Sequence, residues 1–361
     1  MKLKRACRYS GGASSEGFTK RTTRDTVSGL LHEVYAYTDF QSKIPEEFSL
    51  SGETLQVYFL GTAGALPTTQ RNPPCILVRH GSDTLLFDCG EGAQQQMMRS
   101  RCGFTVDAIF ITHWHADHFL GIFGLVQTLS FNGRTDPLTI YGPEWVCEFV
   151  TILKTVARFN LKFPLESVEL ANGSWVRFDG YTVTAFSVNH GLPSLGYILE
   201  EDPRPGRFNR EQAIACGVPP GPLFGRLQRG ETIRIGKGDE GRDVCPEQVM
   251  GQARPGRKIV YTGDTRAVHS RIMDIAHDAD LLIHDATYDE SEAGRGAEFY
   301  HATARQAGEA ASALKARKLV LIHTSSRYTG ADAHISDAKS AFSGPVIAPD
   351  DLDMIEVPFR D

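Results

Sequence analysis

Short apolar runs bounded by glycine or polar residues recur from residue 54 onwards, and each has the length of a β-strand. In the first half these runs are TLQVYFLG (54–61), CILVRH (75–80), TLLFDCG (84–90), DAIFITH (107–113) and LTIYG (138–142). Segments of helix-forming composition lie between and after them: EGAQQQMMRS (91–100), LGIFGLVQTLSF (120–131) and PEWVCEFVTILKTVARF (143–159). Pro143 suits the first turn of the last of these helices.

The second half repeats this alternation. The strand-like runs RKIVYTGDT, DLLIHDAT and KLVLIHT each end in a polar cluster, and HATARQAGEAASALKAR (301–317) predicts an alanine-rich helix. Asn172-Gly173 and Asp179-Gly180 predict tight turns between further short strands. Because hairpins and helix-linked strands occur together, we predict an α/β fold in which two sheets pack together with helices outside.

Two parts of the chain depart from this pattern. Residues 200–257 hold many of the prolines and glycines together with a cationic stretch, and an insertion this long is usually functional or disordered. Residues 1–50 begin with a basic segment rich in Ser, Thr and Gly, which favours a tail or a misplaced start codon over a transit peptide. The folded domain is therefore predicted to span residues 51–361.

Composition narrows the class of protein. The 361 residues suffice for a substantial core, and 41% hydrophobic and 23% charged residues are typical of a soluble globular protein. A net charge of −6 argues against wholesale non-specific binding to nucleic acid, although it allows a local basic patch. The seven scattered cysteines include no C-x-x-C pair and indicate free thiols in a reducing compartment. With no apolar run of about 18 residues and no secretory signal, we expect a cytoplasmic protein without a membrane partner.

The stretch ITHWHADHFLG (111–121) places three histidines and an aspartate directly after an apolar strand. His113 and His115, two apart in an extended loop, can point to the same side, whereas Asp117 and His118 lie where a helix could begin. Imidazole and carboxylate are the ligands that zinc takes in mixed sites, and two metal ions would use all four side chains. Ordinary loop or capping roles would explain one such histidine, but the whole pattern indicates a metal site.

Three further ligand-type residues follow strands in the second half: His190, Asp264 and His323. Each has a simpler explanation, a turn former for the aspartate and an interior imidazole for the histidines. Together they lie at carboxyl ends of strands, where α/β folds gather their sites. Asp264 has two carboxylate oxygens and could bridge two cations.

With these motifs in hand, the chain resembles the metallo-β-lactamase superfamily, and more narrowly the short form of the ribonuclease Z family. The resemblance covers residues 55–361 and includes FLGTAGALP (59–67), LLFDCGEG (85–92), HWHADH, VNHG (188–191), PPGPLFGRLQRGE (219–231), YTGDTR (261–266), HATA (301–304) and HTSSRY (323–328). Two positions depart from the family pattern: Asp285 stands where the family usually has Glu, and Ala302 where it has Ser. Neither is a proposed metal ligand.

The resemblance implies an αββα four-layer sandwich with a protruding tRNA-binding arm at 200–257, two zinc ions per subunit, and a homodimer. The first zinc would take His113, His115 and His190, the second Asp117, His118 and His323, and Asp264 would be shared. Manganese or iron would also suit such mixed ligands. Precursor tRNA, not DNA, is the expected partner, and its 3′ trailer would be cut off after the discriminator nucleotide.

Chemical roles follow for the remaining residues. Asp117 is expected to orient the attacking water, and His301, paired with Asp285, to protonate the leaving 3′ oxygen. Substrate contacts are expected from Gly221, Pro222, Arg226, Arg229 and Arg327. Two alternatives remain open: another hydrolase of the same fold (a phosphodiesterase, arylsulfatase or thioesterase), or a non-catalytic RNA-binding module.

Overall fold

Two large β-sheets lie face to face in the computed structural model, which describes residues 34–36, 54–156, 160–236, 241–266 and 275–360. The strands are β1 (Val34–Ala36), β2 (Leu55–Gly61), β3 (Ala63–Gly64), β4 (Cys75–His80), β5 (Asp83–Phe87), β6 (Ala108–Phe110), β7 (Leu138–Gly142), β8 (Leu165–Glu169), β9 (Ser174–Phe178), β10 (Tyr181–Ser187), β11 (Leu195–Glu201), β12 (Ile233–Ile235), β13 (Arg242–Val244), β14 (Lys258–Tyr261), β15 (Leu281–Asp285), β16 (Leu319–Ile322), β17 (Thr324–Ser325), β18 (Val346–Ile347) and β19 (Met354–Glu356). The α-helices of these ranges are α1 (Ala93–Ser100), α2 (Ala116–Phe119), α3 (Gly121–Phe131), α4 (Val146–Val156), α5 (Arg210–Ala215), α6 (Pro222–Gln228), α7 (Ala293–Phe299), α8 (Ala304–Ala313) and α9 (Asp332–Ala341).

The topology brings strand ends from both sheets to one edge. One sheet has the order β1-β9-β10-β11-β14-β15-β16-β18 and the other β19-β2-β4-β5-β6-β7-β8. The runs β5-β6-β7-β8 and β14-β15-β16-β18 are parallel within their sheets. Because parallel strands end at the same edge, the segments that follow β6, β14 and β16 lie where α/β folds gather their sites.

Three apolar layers hold the fold together. Phe59, Phe110 and Tyr197 pack between the sheets. Met97 and Leu125 belong to a second layer, where α1, α3 and α4 cover the outer face of the seven-stranded sheet. A third layer covers the other outer face, where alanines of α8 and α9 pack against larger apolar side chains such as Leu282 and Leu321. The predicted αββα four-layer sandwich is therefore confirmed, and each fully buried large apolar side chain contributes about 1.5–3 kcal/mol to it.

Two predicted helices begin later than the sequence suggested. Helix α4 starts at Val146, so Pro143 precedes it and is not in its first turn; Trp145, with φ of 89°, interrupts the helical backbone. Residues 157–159 of the predicted helix lie outside the described ranges. Helix α8 starts at Ala304, where Thr303 and Gln306 form a capping box that satisfies the first amides. His301 therefore lies outside this helix.

The insertion is an ordered projection with its own core. It leaves the sheet after β11, returns at β14, and its two limbs pair through the antiparallel bridges Arg204↔Arg254 and Phe208↔Met250. Its head contains α5, α6 and the hairpin β12–β13 around a small buried apolar cluster that includes Leu227 and Val244. We call residues 202–257 the arm. The sequence predicts that this insertion is either functional or disordered; in its described ranges it is ordered.

Most of the predicted N-terminal extension, residues 1–50, lies outside the described residues. Its described part is β1, which pairs antiparallel with β9 through Val34↔Val176 and forms one edge of the eight-stranded sheet. The boundary at residue 51 stays a prediction. Among the described helices, none has the length and apolar character needed to cross a membrane.

Candidate metal centre and active site

The HWHADH segment turns sharply from β6 into the short helix α2. The Ile111 amide donates to the Tyr141 carbonyl at 2.8 Å and extends the strand beyond Phe110. His115 then acts as the N-cap residue of α2 with extended backbone, so Asp117 and His118 lie in the first helical turn. His113 and His118 are fully buried, whereas His115 is exposed. The loop thus directs its three histidines and Asp117 towards one polar cluster, whereas Trp114 packs against Phe119 and Phe149.

Four predicted ligands converge on the first position. The Nδ1 atom of His115 lies 3.0 Å from Nε2 of His113 and 3.1 Å from Nε2 of His190. Asp264 completes the group, with all four ligand atoms within 4.8 Å of one another. Such close imidazole nitrogens repel as cations, but they suit a shared metal ion.

Asp117, His118 and His323 form the second group, again within 4.8 Å. Asp117 Oδ2 lies 3.5 Å from Nε2 of both histidines. Asp264 connects the two groups, because its Oδ2 faces four imidazole Nε2 atoms at 3.2–4.0 Å: those of His113, His118, His190 and His323. The structure therefore brings together all seven residues predicted as ligands.

The polar atoms of this cluster fit a cation. Nε2 of His118 and Nε2 of His323 are buried and have no hydrogen-bond partner. A buried imidazole nitrogen without a partner costs free energy unless something else satisfies it. A divalent metal ion would satisfy both, and it would offset the repulsion among the carboxylates.

Asp88, which sequence reasoning did not single out, orients the ligand His118. Its Oδ2 accepts from Nδ1 of His118 at 2.7 Å and from the Tyr261 hydroxyl at 2.6 Å. Its other oxygen accepts from the Thr112 amide at 2.8 Å. A carboxylate that holds the far nitrogen of a ligating histidine fixes its ring orientation. The available signal was an aspartate directly after β5, in the run TLLFDCG, which predicts a strand but does not by itself indicate a contact with a metal ligand.

Hydrogen bonds also orient the rings of two other ligands, His190 and His323, through the nitrogen that does not face the cluster. Nδ1 of His190 donates to the Tyr300 carbonyl at 3.0 Å, and Nδ1 of His323 lies 2.8 Å from the Thr287 hydroxyl. Both contacts leave Nε2 directed at Asp264. The tautomer that binding requires is therefore favoured by the surrounding fold.

The predicted acid pair is present beside the cluster. Nδ1 of His301 lies 2.8 Å from Oδ2 of Asp285, and the carboxylate also accepts from the amides of Thr265 (3.0 Å) and Thr287 (2.8 Å). His301 is largely buried, with 13% of its side chain exposed. Asp285 and His301 also lie within 4.8 Å of Asp264 and His323 through their ligand atoms.

Burial and charge give these groups different proton affinities. Burial lowers the pKa of His113 and His190, and partial burial lowers that of His115, although the residue as a whole is exposed. A lowered pKa favours the neutral, metal-binding ring. Burial also opposes the charge on His118, but Asp264 and Asp88 outweigh it and raise its pKa well above the ordinary value. Because a proton and a metal ion compete for the same nitrogen, metal binding at His118 must release that proton.

The proposed base, Asp117, and the proposed acid, His301, also differ in pKa. Burial opposes ionisation of Asp117, yet interactions with His323 and His118 lower its pKa to about 2. Burial opposes the charge on His301, but the adjacent Asp285 raises its pKa to about 9. At neutral pH the first group is thus a carboxylate and the second carries a proton that it can donate.

The predicted substrate-binding residues lie outside this cluster. In the arm, Gly221 precedes Pro222 at the start of α6, and Arg226 and Arg229 pair with Glu231 at 2.7 and 3.2 Å. Both guanidinium groups remain about half exposed. Arg327 lies 3.5 Å from Glu292 and over the Tyr288 ring, with 35% of its side chain exposed.

The two-sheet sandwich and its His/Asp cleft define a metallo-β-lactamase-fold protein with groups suited to divalent metal ions. Residues 68–145 match the metallo-beta-lactamase superfamily, and residues 237–324 match the beta-lactamase superfamily domain. The predicted superfamily is thereby confirmed.

Similar proteins identify the family within this superfamily. Ribonuclease Z of Methanosarcina acetivorans is 49% identical over 308 residues, which cover 85% of this chain and 99% of that protein. Ribonuclease Z of Myxococcus xanthus is 46% identical over the same span. The crystal structure of the short form of human tRNase Z aligns with a TM-score of 0.61 and 26% identity, covering 84% of this chain and 100% of that one. The chain belongs to the ribonuclease Z family.

Proposed function

We propose that this chain removes the 3′ trailer of precursor tRNA by cutting after the discriminator nucleotide. Family membership makes it an endoribonuclease of tRNA 3′-end processing; the cut position, the metals and the roles of single residues are our proposal. One observation carries it: a single oxygen of Asp264 faces four imidazole nitrogens, two of which are buried without partners. This arrangement suits phosphodiester hydrolysis at a two-metal site.

We assign the metals to two neighbouring positions. His113, His115 and His190 would hold one zinc ion, Asp117, His118 and His323 the other, and Asp264 would contact both. Zinc suits the histidine-rich donor set, and manganese or iron is the alternative. When bound, two such ions make an attached water acidic enough to attack phosphorus and offset the charge that develops on the phosphoryl oxygens.

Asp117 is the group assigned to the attacking water. Its Oδ2 accepts from the Ala65 amide at 3.0 Å, which fixes the carboxylate at the rim of the cleft. Its low pKa keeps it ionised, so it can accept a hydrogen bond from the water and orient it. We also assign to it the proton that the water releases on attack. The water oxygen forms a new bond to phosphorus, and the bond from phosphorus to the 3′ oxygen breaks.

His301 is assigned the proton for that 3′ oxygen. Asp285 holds its Nδ1, which leaves Nε2 available to donate. The products are a tRNA with a 3′ hydroxyl and a trailer with a 5′ phosphate. Asp285 keeps the negative charge that this role needs, although its side chain is one methylene shorter than the family's usual Glu.

The arm is assigned to tRNA recognition, in a homodimer where one subunit's arm serves the other's site. Its head has a core of its own, and within the described part of the arm Arg226 and Arg229 share the single carboxylate of Glu231. A cationic projection suits the phosphates of an A-form stem. Gly221, Pro222 and Arg327 are assigned supporting contacts. Light scattering should give twice the mass of one chain, and a monomeric mass would refute the dimer.

The test is cleavage of a 3′-extended precursor tRNA, with mapped ends, by the wild type and by Asp117→Ala. We expect one cut after the discriminator that the variant loses by at least about a hundredfold, the scale of a lost proton-transfer group. A zinc-loaded protein that cuts elsewhere, or not at all, would refute the proposal.

Removal of the arm tests whether tRNA cleavage depends on the arm while hydrolysis of a small phosphodiester does not. Replacing residues 206–252 with a short glycine linker should abolish tRNA cleavage and spare hydrolysis of bis(p-nitrophenyl) phosphate. Equal survival of both activities would refute the arm's role and favour a small-substrate hydrolase.

A further inference from the structure

Arg266 places a positive charge beside the metal-ligand cluster. It follows Asp264 by two residues, and its amide donates to the Asn189 carbonyl at 2.8 Å, next to His190. Its Nε atom is buried and has no hydrogen-bond partner. Within the described ranges no carboxylate forms an ion pair with this guanidinium, so its charge is not neutralised locally.

Tyr300 holds the Arg266 side chain in place. The guanidinium carbon lies 4.2 Å from the centre of the Tyr300 ring, a cation–π contact. Tyr300 adopts φ of 61°, which is uncommon for a non-glycine residue, and its carbonyl accepts from Nδ1 of His190. The residue is 40% exposed. The pair is thus tied to His190 on one side and open to solvent on the other.

Arg257 shows what a structural arginine looks like in the same chain. Its guanidinium donates to both oxygens of Glu201 and to the Val357 carbonyl, and it is 2% exposed. The Arg266 guanidinium instead contacts the aromatic ring of Tyr300. Because a buried, unpaired donor costs free energy, its position is better explained by an anion that arrives with the substrate.

We propose that Arg266 binds a phosphate of the tRNA strand on the 5′ side of the cut, and that Tyr300 is the positioning residue that directs it there. The side follows from His301, the group assigned to the leaving 3′ oxygen, which belongs to the tRNA and not to the trailer: its ring lies 5.1 Å from the ring of His190, and the Tyr300 carbonyl holds His190. This inference rests on the proposed function. A planar guanidinium matches a phosphate group in shape and charge.

The experiment compares Arg266→Gln with Arg305→Gln, a matched loss of charge at an exposed arginine that pairs with Glu309 within helix α8. The measurements are kcat and KM for precursor tRNA, kcat/KM for bis(p-nitrophenyl) phosphate, and the Kd of trailer-free tRNA over a series of salt concentrations. A Tyr300→Leu variant tests the positioning role, with thermal unfolding to confirm that each variant is folded.

We expect Arg266→Gln to raise KM and Kd about 10- to 100-fold, as for a lost charged hydrogen bond, with kcat changed much less. The slope of log Kd against log salt should fall by about 0.7–0.9, the value for one phosphate. Hydrolysis of the small phosphodiester and the Arg305→Gln variant should match the wild type. Tyr300→Leu should give a smaller effect in the same direction.

Other outcomes separate the two proposals. If the wild type does not process precursor tRNA, the proposed function fails. If the wild type processes it and Arg266→Gln keeps both KM and the salt slope, only the inference fails. An equal loss on tRNA and on the small phosphodiester would also overturn it, because Arg266 would then act by supporting His190.

Discussion

At the scale of single residues, Gly64 is the neighbour on which the position of His323 depends most directly. A Cβ atom at Gly64 would lie 2.6 Å from the His323 carbonyl oxygen and 2.7 Å from its Nδ1. His323 itself has φ of 63°, a strained conformation that its surroundings must maintain. The ligand therefore has no room to adapt to a side chain at position 64.

We predict that Gly64→Ala displaces His323 and lowers kcat/KM by about a hundredfold, the cost of a misplacement of about 1 Å. Overpacking should also destabilise the fold by about 1–3 kcal/mol. The control is Gly294→Ala in helix α7, where a Cβ atom would meet nothing within 4 Å. Kinetics and thermal unfolding check both variants; unchanged kinetics in Gly64→Ala would contradict the prediction.

The role of the Asp285–His301 pair can be tested with two substrates, because one leaving group needs a proton and the other does not. Asp285→Asn removes the charge that keeps His301 protonated, so precursor tRNA cleavage should fall about 10²–10⁴-fold. Hydrolysis of bis(p-nitrophenyl) phosphate should change little, because p-nitrophenolate departs without a proton.

His301→Ala should behave in the same way and keep the metal content of the wild type. Since His301 also lies near Asp264 and His323, loss of metal in that variant would reassign it as a ligand. Equal loss on both substrates would likewise contradict its role as an acid.

At the scale of elements, a buried ionic cluster fixes the root of the arm. Glu201 at the end of β11 accepts from Arg257, which precedes β14, and its Oε1 lies 2.9 Å from Nε2 of His80 on the other sheet. Burial opposes ionisation of Glu201, but the hydrogen bonds from Arg257 and His80 lower its pKa to about 2. Arg204 and Arg257 both lie 3.8 Å from the Phe359 ring, which ties the root to the C-terminal segment.

This cluster predicts a defined acid sensitivity. A carboxyl whose pKa is lower in the folded state stabilises fully above its unfolded pKa of about 4.3 and loses that contribution as pH falls towards 2. Its size is about 3 kcal/mol at pH 7. Glu201→Gln should therefore lower the free energy of unfolding at pH 7 and flatten its decline between pH 4.5 and 2.

Urea unfolding at several pH values measures this effect. The neighbouring Glu200→Gln is the control, because Glu200 pairs with Lys258 at 3.1 Å while its side chain stays 39% exposed. The free energy of unfolding of Glu200→Gln should remain within about 0.5 kcal/mol of the wild-type value. Identical pH profiles for the two variants would show that the buried cluster contributes nothing.

At the scale of the whole molecule, the ligands join the two sheets. His113 follows β6 of one sheet, whereas His190, Asp264 and His323 follow β10, β14 and β16 of the other. A metal ion held by both groups would therefore stabilise the sandwich as well as the reaction, since a ligand that binds only the folded state raises its stability.

Removal of metal by a chelator should thus lower Tm by several degrees, and added zinc should restore it. Calorimetry with metal analysis of the same samples provides the measurement. Asp264→Ala should start from a lower Tm and respond less to the chelator. A Tm that does not change while the metal is demonstrably lost would refute a structural contribution.

Sequence reasoning reached the two-sheet α/β class from the periodic apolar runs and the metal site from the dense histidine motif, because both are local signals. The superfamily and the family came from the resemblance of motifs such as HWHADH, PPGPLFGRLQRGE and HTSSRY. Sequence reasoning also named all seven converging ligands, although their roles remain proposals. It missed Asp88, whose importance depends on a contact with His118 thirty residues away. It also placed the start of helix α4 too early, because the positive φ of Trp145 has no signature in residue type.

The sequence by itself determined which elements form and which residues can bind metal, since hydrophobic periodicity and side-chain chemistry are properties of neighbouring residues. Only the tertiary structure decided that Asp264 faces four imidazoles, that Asp88 holds His118, and that Arg266 rests on Tyr300. These contacts join residues far apart in the chain. Their geometry depends on how two twisted sheets pack and where their strands end, which no local pattern encodes.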